Sequence, residues 1–278
     1  MILRQVGVLP IRYHYGEVVV RSRDLRKPLS EERRLGGLDL NVAEQLELLE
    51  KFDYSSELTA LPLEEQATGT FYYHNGWFES GDAEFLFNMI RHFKPANIIE
   101  IGSGHSTLMV RYAIERNIAV DSNYVCNHVC IEPYERPWLE QTGAKIVRQR
   151  VETLDLEFFQ LLDKDDLLFI DSSHVIRPQG DVLFSILEVF GTLKSGAIVH
   201  VHDIYTPRDY PEKVVLDDAK LWNEQYLLEA YLSYNSNFRV IGSLNFLWHN
   251  YRERLTRTCP ILENERLREP GSFWLVRN

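Results

Sequence analysis

The residues that could do chemistry are Glu132, Asp171, His174 and the adjacent pair His202-Asp203. Asp171, His202 and Asp203 combine two carboxylates with an imidazole, a donor set that suits magnesium or manganese and leaves positions for substrate oxygens. His174 lies three residues past Asp171 and titrates near neutral pH, which makes it the candidate general base, with Asp171 as the second candidate catalytic residue. A loop histidine bonded to backbone is the plainer alternative for His174, and a core histidine for His202. Glu132 follows an apolar run and could accept two hydrogen bonds from the vicinal hydroxyls of a ribose; a solvated acid at a strand end is its alternative.

These residues need a frame, and the apolar runs provide one. Strands are expected at 97–101, 128–131, 145–148, 167–170 and 197–201, alternating with helices in the manner of a parallel sheet covered on both faces. Four of them end in polar residues, at Glu100, Glu132, Asp171 and His202-Asp203, and ligands of open α/β sheets lie outside the carboxyl ends of the strands. The first strand runs through Glu100-Ile101-Gly102-Ser103-Gly104-His105-Ser106-Thr107 into a helix expected over 106–115. Gly102 and Gly104 allow a ligand to lie against the main chain, and the helix start aims unpaired N–H groups at it. The cofactor contacts expected are therefore Gly102, Ser103, Gly104, Ser106, Thr107, Glu132 and Asp171, with Glu100 supporting the turn. His105 covers the ligand at most, and His200 is read as structural.

Before this region, Asn41 with Glu44 three residues on reads as the start of a helix carrying Val42, Leu46, Leu49 and Phe52 on one face. Ser80 reads as the cap of a second helix with Phe85, Leu86, Met89, Ile90 and Phe93 as its apolar stripe, ended by Pro95. A helix is expected over 179–190 and another over 221–233, and the stretch 117–127 reads as an inserted loop. Residues 205–211, with two prolines, read as a stiff flap that, with Trp222 behind it, could form a substrate pocket through Tyr205, Arg208, Tyr210 and Trp222; a plain surface loop is the equal alternative. The aromatic run 72–78 is a candidate lid, with ordinary packing as its alternative.

In combination, residues 100–106, Ile131-Glu132-Pro133, Leu168-Phe169-Ile170-Asp171 and Leu193-Lys194-Ser195-Gly196-Ala197 resemble the class I S-adenosylmethionine-dependent methyltransferases over about residues 80–205. The wording Ile170-Asp171-Ser172-Ser173-His174 and Val201-His202-Asp203-Ile204-Tyr205 is similar to a bacterial small-molecule branch, O-methyltransferases of sugars and natural-product hydroxyls. The resemblance implies an α/β, Rossmann-like seven-stranded sheet of order 3-2-1-4-5-7-6 with strand 7 antiparallel. It also implies S-adenosylmethionine as cofactor and a small-molecule acceptor. Residues 237–241 and 272–276 would be the last two strands, with 243–271 too long for a plain hairpin. Ser106 stands where many members have a third glycine. The expected organisation is an N-terminal extension over 1–79, partly helical, and a catalytic domain over 80–278.

Composition bounds the alternatives. At 278 residues and 45% hydrophobic the chain can bury a large core, and a net charge of -11 argues against a nucleic-acid phosphate surface. Three cysteines form neither a disulfide framework nor a metal-ligand spacing. No apolar run reaches the roughly 18 residues that span a bilayer, and the start Met1-Ile2-Leu3-Arg4-Gln5 lacks a signal-peptide pattern, so a cytoplasmic protein is expected, with a homo-oligomer left open. Two other function classes remain. A nicotinamide-dependent oxidoreductase would want a third glycine at position 107, which is Thr, and a non-catalytic cofactor-fold protein would have lost the polar strand ends that are all present here.

Overall fold

The structure is a computed structural model that describes residues 10, 11, 14, 16–134 and 136–278; the opening residues read for a leader lie outside these. Seven strands form one sheet of order β3-β2-β1-β4-β5-β7-β6. They are β1 (Asn97–Ile101), β2 (Asn127–Ile131), β3 (Lys145–Val147), β4 (Leu167–Ile170), β5 (Ile198–Val201), β6 (Phe238–Ser243) and β7 (Phe273–Arg277). β1 pairs in parallel with β2 and β4, β2 with β3, and β4 with β5. β7 runs antiparallel to both neighbours, β5 and β6. This is the expected order, with the seventh strand antiparallel as expected.

Every residue of β4 and β5 is buried, as apolar runs covered on both faces require. Two hydrophobic clusters do the covering. One gathers Phe85, Leu86, Met109, Val110, Ile114, Phe169 and Trp274; the other gathers Ile99, Ile170, Val182, Phe190, Val199 and Leu275. The first cluster also takes in Leu48, Leu49, Phe52, Leu58, Phe71, Tyr73 and Phe78, so residues before 80 pack into the same core as the sheet.

Several boundaries differ from expectation, each for a local reason. The helix Val42–Leu49 (α1) starts after Asn41, but Asn41 sits in the left-handed region and its side chain caps nothing. Instead Gln45 anchors α1, accepting from the Ser243 N–H at 2.8 Å and donating to the Leu40 carbonyl. The helix Asp82–Phe93 (α2) is capped by Glu84, whose carboxylate accepts from the Gly81 N–H at 2.9 Å, while Ser80 donates to Glu265. The helix after the glycine turn, His105–Val120 (α3), runs five residues beyond its expected end, so of the stretch 117–127 read as a loop, residues 117–120 are helix and only 121–126 are irregular before β2. Asn117 is buried there, accepting from Arg91 and donating to the Ile90 carbonyl at 3.0 Å, which holds the extra turn.

A helix over residues 181–192 (α4) follows β4; its middle, Phe184–Val189, is wound as a π-helix. Glu224–Leu232 (α5) precedes β6. The long stretch between β6 and β7 holds two short helices, Leu244–Asn250 (α6) and Arg252–Thr256 (α7). They close over α2, burying Leu244, Leu247, Leu255 and Leu262, and the Ile261 and Leu262 N–H groups donate to Glu84 at 2.7 and 3.1 Å.

Candidate functional site

The carboxyl ends of β1, β2, β4 and β5 open into a cavity of about 980 Å³. Single ligand sites span about 300–1,000 Å³, so this volume has room for a cofactor and a second small molecule.

One end is the glycine turn. Gly102 has φ +80, and a Cβ there would lie 1.8 Å from the Asp171 carbonyl oxygen. That crowding arises because the turn is tied across three strand tips: the Gly102 N–H donates to the Ile131 carbonyl at 3.0 Å and the Asp171 N–H to the Ile101 carbonyl at 2.9 Å. The Gly104 N–H donates to Thr107 Oγ1 at 3.1 Å, opening α3. Gly102, Ser103, Gly104, Ser106, Glu132 and Asp171 line the cavity. Glu100 and Thr107 do not. Glu100 is wholly buried beneath the turn, accepting from Ser106 Oγ at 2.5 Å and Cys130 Sγ at 3.3 Å, with His128 Nε2 at 3.1 Å. Its place is under the cradle, and Thr107 is spent on the helix start. Glu132 accepts from the Ser103 N–H at 3.1 Å and the Tyr134 N–H at 2.9 Å, which aims a carboxylate with lone pairs to spare along the cavity wall.

The other end is built around His174. Its backbone is left-handed, φ 59, as is that of Asp203, φ 55. Such angles in non-glycine residues persist where the surroundings over-determine them, and they cluster at functional sites. They turn the two side chains toward each other: His174 Nε2 lies 3.3 Å from Asp171 Oδ1 and 3.6 Å from Asp203 Oδ2. On its far side His174 Nδ1 lies 2.9 Å from Glu224 Oε2. Burial disfavours the imidazolium, but the carboxylates of Asp171, Glu224 and Asp203 outweigh it and hold the His174 pKa well above its ordinary value. Partial burial pushes the Asp171 carboxyl up, yet His202 and His174 bring it down to about 2. Glu224 is raised by burial, with His174 pulling the other way.

The structure therefore regroups the expected metal set. Asp171, His174 and Asp203 each offer a ligand atom within 4.8 Å of the others. His202 stands outside that group: its Nε2 is 3.9 Å from Asp203 Oδ1, and its ring lies 5.1 Å from Phe78 and 5.7 Å from His200. Strand alternation puts His202 on the aromatic face with His200, whereas the loop after β4 folds His174 back over the strand ends. His200, fully buried and stacked 4.1 Å from Phe169, is structural as read.

The flap divides. Tyr205 lines the cavity and donates to Asp203 Oδ1 at 2.9 Å, and Trp222 lines it with its ring 4.5 Å from that of His174. Arg208 and Tyr210 do not reach the cavity. Arg208 is turned outward by the Ser30 carbonyl and Glu32, both at 2.9 Å, and the Tyr210 hydroxyl accepts from the Gln225 N–H at 3.0 Å. The Arg208 contacts belong to a strap of residues 29–33 over the flap, in which the Arg33 N–H donates to the Pro207 carbonyl at 2.9 Å, whereas Tyr210 is held by α5. From the candidate lid, Gly76, Trp77 and Phe78 line the cavity, and Trp77 is 74% exposed at its mouth.

Asp82 and Glu224 take places that the sequence reading does not give them. Asp82 lines the cavity and accepts from the Gly271 and Ser272 N–H groups at 3.0 and 2.8 Å. Glu224, at the first position of α5, reads in sequence as an acid favoured by the helix dipole, so nothing local marks it as a histidine partner fifty residues away.

Residues 99–204 match the family model described as a methyltransferase domain. An uncharacterized protein of Archaeoglobus fulgidus is 29% identical over 175 residues, covering 58% of this chain and 77% of that protein. Among solved structures, the O-methyltransferase from Bacillus cereus in complex with SAH aligns with 13% identity and a TM-score of 0.39, over 85% of this chain and 91% of that one. Among the described residues, no helix is long and apolar enough to cross a membrane.

Proposed function

We propose that residues 99–204, which match the family model of a methyltransferase domain, form the core of a class I S-adenosylmethionine-dependent methyltransferase, and that this protein O-methylates a small molecule, a sugar or natural-product hydroxyl. The observation that carries the proposal is one cavity with Glu132 and the glycine turn at one end and His174 between two carboxylates at the other. S-Adenosylmethionine supplies an electrophilic methyl on a sulfonium; the S–CH3 bond breaks as the O–CH3 bond forms, and the hydroxyl proton has to go elsewhere. Glu132 is placed to hold the ribose, and the turn from Gly102 to Gly104 receives the methionine end. Most of the acceleration comes from holding the reactants in line. Trp222, Tyr205 and Trp77 form the walls that would exclude water from the acceptor.

His174 Nε2 is the acceptor for the hydroxyl proton. Only neutral His174 can take it, and its pKa lies above the ordinary value, so the rate rises with pH through the His174 titration. The alternative for the same corner is a divalent cation: Asp171, His174 and Asp203 would give two carboxylate oxygens and the imidazole Nε2 as donors, in which case Nε2 is a ligand and not the base. Such an ion would lower the pKa of the bound hydroxyl.

Calorimetric titration with S-adenosylmethionine, its demethylated product and a nicotinamide dinucleotide tests the reading. Binding of the first two is expected; binding of the nicotinamide compound alone overturns it. With sugar and phenol hydroxyls offered as acceptors, activity that survives a chelator removes the metal, and an unchanged rate in His174→Ala removes the base.

A further inference from the structure

We infer that Glu224 is the positioning residue of the site, fixing the tautomer and aim of His174 so that the Nε2 lone pair faces the acceptor; this rests on the reading of His174 as the base. Two of the buried carboxylates that touch no cavity wall, Glu84 and Asp166, show one way a structural acid is held here. Glu84 accepts three backbone N–H groups, from Gly81, Ile261 and Leu262. Asp166 accepts from the Asn97 N–H and side chain and from the Asp163 N–H. Each repays its desolvation by tying chain segments together.

Glu224 does not. It is 1% exposed, its Oε2 meets His174 Nδ1 at 2.9 Å, and its Oε1 has no hydrogen-bond partner among the described residues. A buried carboxylate whose one hydrogen bond goes to one histidine is costly to keep as mere structure. The joint between the two residues is also clamped by backbone. The N–H groups of Asn223 and Glu224 donate to the His174 carbonyl at 3.0 and 3.2 Å, and Asn223 Oδ1 accepts from the Ile176 N–H at 2.6 Å. α5 thus grips the loop after β4 at the residue whose φ is left-handed.

The two sides of the imidazole compete for its proton. Asp171 and Asp203, at 3.3 and 3.6 Å from Nε2, are partly exposed, whereas Glu224 is closer to Nδ1 and in the interior, where a charge-assisted hydrogen bond is stronger. In neutral His174 the proton therefore stays on Nδ1, and Nε2 is left as the acceptor. A carboxylate plays this part for the imidazole in hydrolase triads, where loss of the correct tautomer is costly.

The test is nitrogen-15 NMR of the histidine rings in the full chain at alkaline pH, with the His174 signals identified by their loss in His174→Gln. The expected result is neutral His174 protonated at Nδ1 in the native protein, and protonated mainly at Nε2 in Glu224→Leu, with S-adenosylmethionine affinity within about twofold in calorimetry. A native His174 protonated at Nε2, or a tautomer unmoved in Glu224→Leu, overturns the inference. Should Glu224→Leu not fold, the native tautomer alone decides. Failure of the methyl-transfer reading shows separately, as native protein that does not bind S-adenosylmethionine.

Discussion

Replacing Gly102 by alanine tests how the glycine turn is built. With φ at +80, alanine pays about 1–2 kcal/mol for a left-handed backbone. The new Cβ would stand 1.8 Å from the Asp171 carbonyl oxygen and 2.8 Å from its carbonyl carbon, both backbone atoms with no rotamer to give. Relief requires moving the Asp171 carbonyl by more than an ångström, and the N–H of the same residue, one peptide earlier, donates to the Ile101 carbonyl at 2.9 Å, a bond worth about 1 kcal/mol that the shift would strain. With residual strain the total comes to about 3–5 kcal/mol, the range that marks a specific structural fault. At roughly 2–4 °C per kcal/mol for a chain of this class, the unfolding midpoint should fall by about 6–20 °C. Gly104→Ala is the control. Its φ of -173 is open to any residue and nothing lies within 4 Å of the added methyl, so stability should hold within about 0.5 kcal/mol. That methyl would nonetheless enter the cradle and weaken S-adenosylmethionine binding by roughly tenfold or more. Urea and thermal unfolding of both variants, with calorimetry of Gly104→Ala, make the measurement. Equal midpoints for the two would refute the account of the turn.

Other outcomes follow from the same contacts. Burial raises the Glu84 pKa to about 7, so its protonation stabilises the fold fully below the ordinary carboxyl range and that stability is lost as pH rises through 7. Glu84→Gln should flatten the dependence, separating the two urea-unfolding curves by about 2–3 kcal/mol between pH 5 and 8; parallel curves would contradict it. Arg33 reaches Glu229 at 2.5 and 2.7 Å and Asp209 at 3.1 Å, so Arg33→Met should cost about 2–3 kcal/mol by leaving Glu229 buried and unpaired, and a loss below about 0.5 would dismiss the strap as a structural element. Glu132→Ala should weaken S-adenosylmethionine binding by about 10–100-fold in calorimetry, since a charged acceptor of ribose hydroxyls is removed; unchanged affinity would displace Glu132 from that role.

The legible parts of the fold were those encoded within a few neighbouring residues. The apolar runs at 97–101 and 167–170 marked β1 and β4 because strands buried on both faces must be apolar throughout. Cap residues were less reliable. Ser80 and Asn41 have the right chemistry for N-caps, but Glu265 takes the hydroxyl of Ser80, and Asn41 is held in a left-handed turn with its N–H on Asp39. At 117–127 a polar, asparagine-rich stretch suggested a loop, and only the buried partners of Asn117 on α2 reveal why the helix continues. On the flap, the stiffness expected from two prolines fits the strap contacts, yet the side chains of Arg208 and Tyr210 are claimed by residues 29–33 and α5 instead of the cavity.

By itself, the sequence determined which groups would stand at the strand ends, because a glycine turn, an acid closing β2 and polar residues closing β4 and β5 are local patterns that any parallel sheet carries to one edge. Tertiary structure decided which of them touch. His202 and His174 are equally good imidazoles on paper, but strand alternation sets the first against Phe78, 5.1 Å away and tilted, and a left-handed backbone swings the second between Asp171 and Asp203. Glu224 joins them only because α5 returns across the sheet end. Side-chain contact at 3 Å depends on where separate elements close in space, and that distance is not written in the spacing of residues along the chain.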